Sequence, residues 1–261
     1  MKLYRILGVI LQEYYLTLHS LEIFIDIFFY PMMTLIVFGF ISVYVAGSNL
    51  VVAHNVLLGM FFWQVISVAQ YSVAMLTLWN IWSRNLSNLF VTPLTVEEFL
   101  TASTLSAIIK SGIVFASATV ISLLVFNFNI FIIGIDTILA VFVNLVLFAF
   151  SIAIFILALL FRFGPRIQAL AWGLIALFQP LSATFFPVQI LPTAIQPFAY
   201  MLPSTYAFEA ARYGLAHHTI DMRSILMSFG LNIVYLLLSW WFFKIMFKKS
   251  RKSGQFARNE G

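Results

Sequence analysis

The sequence predicts an all-α polytopic membrane protein. Hydrophobic residues make up 62% of the 261 residues, aromatic residues 17% and charged residues only 9%. The mean hydropathy of +1.02 excludes a soluble globule, because no soluble core could bury so much apolar surface. The basic residues, which give a net charge of +5, lie at the ends of apolar runs, so membrane topology explains them better than nucleic-acid binding.

Six apolar runs are long enough to cross a bilayer, and they predict six transmembrane helices. The predicted spans are residues 24–46, 56–78, 106–128, 137–161, 167–186 and 225–247. Pro31 is expected to kink the first span without breaking it. The polar residues Asn144, Gln179 and Asn232 are neutral, and we expect each to hydrogen-bond a neighbouring helix rather than a substrate.

The N-terminal residues predict an amphipathic helix over residues 3–21 that lies in the membrane interface. Arg5, Gln12 and His19 lie on its polar side. The large apolar residues have the spacing of one helical face and are Leu3, Ile6, Leu7, Ile10, Leu11, Tyr14, Leu18 and Leu21. The alternative interpretation is that this segment merely extends the first span.

The distribution of lysine and arginine predicts the orientation of the chain. One side of the predicted topology carries Lys2, Arg5, Arg84, Lys110, Arg162, Arg166 and all the basic residues from Lys244 onward, and the other carries only Arg212 and Arg223. The positive-inside rule makes the first side cytoplasmic. Both termini, including a basic tail over residues 248–261, are then inside, and Lys110 is expected to snorkel to the headgroups.

The loop between the second and third spans is the longest polar interruption in the chain, and its sequence predicts ordered structure. Ser83 is expected to cap a short helix that starts at the next residue and runs to about Val91. Thr92 precedes a proline, which ends that helix. Thr95 and Glu98 have the spacing of a capping box, so a new helix is expected to start directly after Thr95.

The charge of this loop favours a role in binding a partner. Arg84, Glu97 and Glu98 lie close together on a chain with few charged residues. A structured, charged loop on one side of a membrane protein is suited to contact a second protein. The alternative is an ordinary solvated loop.

Before the last span, four prolines recur every five or six residues and exclude a helix of spanning length. They are Pro187, Pro192, Pro197 and Pro203. The pieces over residues 193–202 and 205–214 are too short to cross, so we predict an external re-entrant or interfacial helical hairpin. Glu209 and Arg212 are expected to pair on one helical face, either as part of an external gate or as a structural ion pair.

No catalytic or metal-binding motif is evident. The sequence lacks a GxxxxGK[ST] phosphate-binding loop, so the chain is not expected to bind ATP by itself. It has no cysteine, which excludes disulfides and thiolate chemistry. His217, His218 and Asp221 are too loosely spaced to indicate a metal site. Ionisable residues are nearly missing from the predicted spans, which argues against an ion-coupled pump.

Three stretches resemble the membrane subunit of type-2 ABC exporters. They are WSRNLSNLFVTPLTVEEFL between spans two and three, FRFG and LAW around span five, and PLSATFFPVQILPTAIQPFAYMLPSTYAFEAARYGL before span six. The resemblance covers nearly the whole chain, residues 1–261, as a single transmembrane domain. Its most specific part is the external stretch, with its Leu-Pro pairs followed by Tyr206, Glu209 and Arg212.

The resemblance implies a subunit that dimerises and binds two copies of a separate ATPase, which holds ATP and magnesium. The loop would then be the coupling helix, with the contact residues Arg84, Asn85, Asn88, Pro93, Glu97 and Glu98. The hairpin would cap the exit, and its gate residues would be Pro192, Pro203, Tyr206, Glu209 and Arg212.

The expected function is therefore export across the cytoplasmic membrane of a prokaryote. Few charges and 29 phenylalanines suit an amphipathic or lipid-linked cargo, such as a lipid-linked glycan, a lipo-oligosaccharide or a hydrophobic drug. A stand-alone channel or secondary transporter is the main alternative. A membrane-embedded enzyme would need clustered His, Asp or Glu residues, which the sequence does not offer.

Overall fold

The computed structural model describes residues 2–47 and 50–252, except for the side chains of residues 50, 86, 87 and 90. Within these ranges all regular structure is helical and no strand is present, which confirms the predicted all-α class. The predicted basic tail is helical as far as Lys252, and residues 253–261 lie outside the described part.

The helices that build the fold are numbered here in chain order. They are α1 (Leu3–His19), α2 (Leu21–Ala46), α3 (Leu50–Trp82), α4 (Leu86–Val91), α5 (Val96–Phe126), α6 (Ile135–Phe163), α7 (Leu170–Leu181), α8 (Pro203–His217) and α9 (Met222–Lys252). Single 3-10 or α-helical turns occupy Ile130–Ile133, Gly164–Ile167, Val188–Ile190 and Gln196–Ala199. One π-helical turn, Ile25–Phe29, lies inside α2.

Five of the described helices, α2, α3, α5, α6 and α9, are long and apolar enough to cross a membrane. The predicted fifth span contains only α7, whose 12 residues extend about 18 Å, against about 30 Å for the hydrocarbon core. Gly164, with φ of +69°, ends α6, and Pro165 follows in a 3-10 turn that delays the start of α7. The count of six spans therefore stays a prediction.

Helices α3 and α6 form the centre of the bundle. In an apolar stretch of 18 residues within each helix, 67% of the residues of α3 and 72% of those of α6 are buried. The corresponding shares are 28%, 28% and 22% in α2, α5 and α9. Helix α6 packs against α3 and α9, and α3 packs against α2 and α5. Asn232 of α9 donates to the backbone oxygen of Asn144 at 2.9 Å and to its Oδ1 at 3.2 Å, which confirms the predicted polar link between helices for this pair.

Helix α1 is separate from the first span, so the alternative of one continuous helix is wrong. Ser20 has extended backbone angles (φ −102°, ψ 109°) and its hydroxyl accepts from the N–H of Ile23 at 3.4 Å, which starts a new helix. One face of α1, including Ile6 and Val9, is buried, and the helix packs along α5. The opposite face is apolar and exposed, with Leu3, Leu7, Leu11, Tyr14 and Leu18.

Lys110 does not snorkel, contrary to the prediction. Its Nζ lies 2.8 Å from Oε2 of Glu13, and both residues are buried between α5 and α1. The prediction failed because it considered only the distance from Lys110 to the membrane surface. The docking of α1 on α5 places a carboxylate within reach of the ammonium group, and a buried cation requires such a partner.

Candidate functional site

The loop between α3 and α5 begins with a turn rather than with a capped helix. Arg84 has φ of +55°, a left-handed conformation, so the prediction that a helix starts at this residue is wrong. Ser83 does not cap a helix; its hydroxyl donates to the Asn80 oxygen at 3.5 Å. Helix α4 starts after Asn85. The backbone N–H of Asn85 donates to the backbone oxygen of Asn80 in α3 at 2.8 Å.

The second half of the loop matches the sequence prediction. Thr92 is extended (φ −68°, ψ 162°) and ends α4. Thr95 Oγ1 accepts from the Glu98 N–H at 3.2 Å, and Glu98 Oε2 accepts from the Thr95 N–H at 3.0 Å. Both bonds of the capping box are therefore present, and α5 begins at Val96.

Glu98 faces the interior of the protein. Only 1% of its surface is exposed, and its Oε1 accepts from the backbone N–H of Lys2 at 2.7 Å. Its Oε2 also lies 3.4 Å from Nη1 of Arg5, and the same guanidinium donates to the Pro93 carbonyl oxygen. The carboxylate of Glu98 thus joins the start of α1 to the start of α5.

Two further contacts hold α1 against the same end of the bundle. Gln12 donates to Oδ1 of Asn80 at 3.2 Å, the atom that also accepts from the side chain of Asn85 at 3.2 Å. The Glu13–Lys110 pair lies deeper, and burial raises the pKa of Glu13 although the charge of Lys110 opposes the shift. Helix α1, the loop and the ends of α3 and α5 are therefore connected by polar contacts.

The outer side of the loop is exposed. Five of its exposed residues, called the loop surface below, are Arg84, Asn88, Val91, Pro93 and Glu97. Val91 is 85% exposed and presents an apolar side chain at the end of α4. Of the six residues that the resemblance implies for ATPase contact, Asn85 is half-buried and Glu98 is buried, whereas the other four lie on this surface.

The proline-rich segment before α9 folds into short helices, as predicted. Pro203 occupies the first turn of α8. The backbone oxygen of Pro192 accepts from the N–H of Ile195 at 2.8 Å, just before the helical turn Gln196–Ala199. The hydroxyls of Ser182 and Ser204 lie 2.6 Å apart and tie the hairpin to the end of α7. Tyr206 packs against Tyr200, with ring centroids 5.8 Å apart.

Glu209 and Arg212 do not form the predicted ion pair, since they are not within 4 Å of each other. Arg212 Nη1 donates to the Ala183 oxygen at 2.9 Å, and Glu209 lies 3.4 Å from the hydroxyl of Tyr200. Burial lowers the pKa of Arg212 to about 10 and raises that of Glu209. Arg212 instead bonds backbone oxygens of Ala183 and Thr184, just beyond α7, because its largely buried guanidinium requires acceptors.

The two histidines near the hairpin contact backbone oxygens. His218 Nδ1 lies 3.1 Å from the Ile132 oxygen, and His217 Nδ1 lies 3.1 Å from the Tyr213 oxygen. No group of three metal-ligating side chains is found in the part of the chain that the structure describes.

A cavity of about 560 Å³ lies between α2, α3 and α7. Its polar and aromatic walls include Asp26, Tyr30, Trp63, Gln64, Ser67, Gln70, Tyr71, Trp172 and Gln179. Asp26 lies on the π-helical turn of α2 and accepts a hydrogen bond from the Tyr71 hydroxyl. π-Helical turns inside α-helices are frequent at functional sites.

Sequence reasoning missed this site, although one signal was present. Asp26 lies inside the predicted first span, and an ionisable residue within a span indicates a functional site. Gln179, expected to bond a neighbouring helix, lines the cavity instead, where its backbone oxygen accepts from Thr184 at 2.9 Å. No protein-family model matches the chain, and no curated protein matches it at a significant level.

Proposed function

We propose that this chain is the permease subunit of a type-2 ABC exporter in the cytoplasmic membrane of a prokaryote. It works as a dimer with a second permease copy and with two copies of a separate ATPase, which binds ATP and magnesium. The observation that carries the proposal is the loop surface, an exposed patch on a loop whose backbone is held from behind by α1 and α3.

The chemistry of the loop surface supports the docking of a protein. Val91 offers an apolar contact, and Arg84 and Glu97, which are exposed on the same loop, offer charges of both signs. Protein interfaces combine apolar centres with polar rims in this way. Glu98 supports the surface from inside and does not contact the ATPase through its side chain.

The polar contacts behind the loop suit it for the transmission of movement. Glu98 binds α1, and Asn80 joins the end of α3 to both α1 and the loop, so a displaced loop takes three helices with it. Closure of the ATPase pair then shifts the spans that surround the cavity. ATP binding need favour one membrane conformation by only a few kcal/mol.

In this proposal α7 and the residues after it complete a sixth crossing, so that both termini are cytoplasmic and the hairpin is external. The hairpin gates the exit through Pro192, Pro203, Tyr206, Glu209 and Arg212. The bond from Arg212 to Ala183 supports this role, since it connects α8 to the second residue beyond the end of α7. A movement of α7 would thereby reach the hairpin.

The test is co-purification with the ATP-binding protein encoded beside this chain, in a mild detergent. We expect the two proteins to elute together, and Glu97→Lys to weaken the complex because it reverses a charge on the loop surface. Asp136→Lys is the matched control, since Asp136 is also an exposed acidic residue in the first turn of a long helix. The proposal fails if the wild-type chain elutes alone, or if both variants affect the complex equally.

A secondary transporter that works without an ATPase is the second candidate. Asp26 favours it, because a carboxylate at a cavity between spans is a typical coupling group of ion-driven transporters. Solute uptake by the purified chain without ATP, driven by an ion gradient and lost in Asp26→Asn, would establish this alternative.

A further inference from the structure

The cavity between α2, α3 and α7 has a distinctive charge. Asp26 is the one residue with a charged side chain among the described residues that line it. Its nearest hydrogen-bond partner there is the neutral hydroxyl of Tyr71. Asp26 is half-buried, and a carboxylate partly withdrawn from water attracts cations and repels anions, so the charge of the cavity favours cations.

A second side chain of the cavity presents an oxygen that has no partner in the chain. Gln70 is fully buried, and its Nε2 donates to the Ala171 carbonyl oxygen at 3.1 Å. Because a carbonyl accepts only from the nitrogen, this bond fixes the orientation of the amide. The Oε1 atom of Gln70 is then a buried acceptor without a partner. The cavity thus holds two groups with negative charge or partial negative charge, a carboxylate and an amide oxygen, and both favour a bound cation over an anion.

Aromatic rings supply the rest of the recognition chemistry. Tyr30, Trp63, Tyr71 and Trp172 line the same cavity. Tyr30 and Trp172 are exposed, so the cavity is an open cleft, and aromatic faces attract cations at exposed sites as well. The volume of about 560 Å³ lies within the range of sites that enclose drug-sized ligands.

We propose that this cavity binds a lipophilic organic cation, with Asp26 as the counter-ion and the indoles of Trp63 and Trp172 as walls. A neutral glycan could use the amides and the rings, but it would leave the carboxylate without an opposite charge. As a statement about cargo, the inference rests on the proposed exporter function. The binding itself requires only this chain.

The test measures the binding of radiolabelled tetraphenylphosphonium to the purified full chain in a polyoxyethylene detergent, without any ATPase. We expect saturable binding that weakens by about tenfold or more in Asp26→Asn, because the nearest opposite charge is removed. Glu22→Gln is the matched control: it removes an exposed carboxylate one turn earlier that does not line the cavity, and we expect less than about a twofold change.

Competition on the native chain decides the question even if Asp26→Asn does not fold. Unlabelled tetraphenylphosphonium should displace the probe, whereas triphenylphosphine oxide, which has similar rings and no net charge, should not. Equal affinity in folded Asp26→Asn, displacement by triphenylphosphine oxide, or displacement by octyl glucoside would overturn the proposal; the last would identify a glycan as the occupant. The binding test contains no ATPase, so a negative result would not contradict the exporter proposal. A failed co-purification, in turn, would not contradict cation binding in the cavity.

Discussion

Carboxylates lie at both the loop end of the bundle and the cavity, but their partners differ: those at the loop end are buried, and Asp26 in the cavity is half-buried. At the loop end Glu98 accepts from three groups of the chain, and Glu13 is paired with Lys110. In the cavity Asp26 has only a phenol as its partner, and the amide oxygen of Gln70 has none. Carboxylates paired with cations of the chain fix its shape, whereas a carboxylate without such a cation is available to a cationic ligand.

The largest effect should come from breaking the deepest pair at the loop end. Lys110→Met leaves the buried carboxylate of Glu13 without its cation, and we expect a loss of about 3–5 kcal/mol in the free energy of unfolding. Thermal denaturation in detergent would measure it. Glu13→Leu combined with Lys110→Met should recover most of the loss; a double variant as unstable as Lys110→Met would show that the pair is not the cause.

The same pair predicts a dependence on pH. Because burial raises the pKa of Glu13 in the folded state, the folded protein binds more protons than the unfolded chain above the ordinary pKa of 4.5. The wild type should therefore lose stability relative to the double variant as the pH rises from about 4.5 through the raised pKa. Melting curves of the two proteins between pH 4.5 and 8 would test this, and a difference independent of pH would contradict it.

The next effect separates the two neighbouring glutamates of the loop end. Glu98→Gln weakens charged bonds to Lys2, Arg5 and Thr95, so we expect a clearly lower melting temperature. Glu97 lies exposed on the loop surface, so Glu97→Gln should leave the melting temperature unchanged. Equal melting temperatures for the two variants would mean that the buried contacts of Glu98 do not stabilise this region.

Packing beside the cavity can be tested at Gly59 of α3. A Cβ atom at this position would lie 2.2 Å from the Thr184 carbonyl oxygen, so Gly59→Ala should cost about 1–3 kcal/mol through overpacking. Gly230→Ala is the control, because nothing lies within 4 Å of its Cβ position and helix propensity favours alanine. If Gly59→Ala melts at or above the wild-type temperature, α3 does not approach the end of α7 this closely.

The smallest effect is expected for the polar link between α6 and α9. Asn232→Leu removes both hydrogen bonds to Asn144, and such bonds in membrane proteins contribute about 0.6 kcal/mol on average. A loss of this size in the free energy of unfolding, measured by chemical denaturation, would show that the link is a packing contact. A loss several times larger would place Asn232 among the residues that determine the fold.

Local patterns predicted the local structure well. The capping box at Thr95 and Glu98 depends on residues three positions apart, and the sequence contains all that is needed to recognise it. The break between α1 and the first span follows equally from a local change in periodicity. The turn at Arg84 was not predicted, because nothing in the sequence distinguishes an arginine with left-handed backbone angles from one in a helix.

Contacts between distant residues could not be predicted in this way. Glu13 and Lys110 are 97 positions apart, and only the docking of α1 on α5 brings them together. Arg212 has a carboxylate three residues away on the same helix, yet it bonds to the backbone oxygen of Ala183, which only the packing of α8 against the segment after α7 brings near. The cavity depends on the placement of three helices and could not be predicted, although the position of Asp26 inside a predicted span already indicated a functional residue.

ATP hydrolysis by the co-purified complex in liposomes tests the central claim most directly. If the loop surface couples this chain to an ATPase, hydrolysis should depend on the membrane subunit, fall strongly in Glu97→Lys and remain normal in Asp136→Lys. Hydrolysis that is the same with and without this chain, together with solute movement that needs no ATP, would contradict the exporter proposal and favour the secondary transporter.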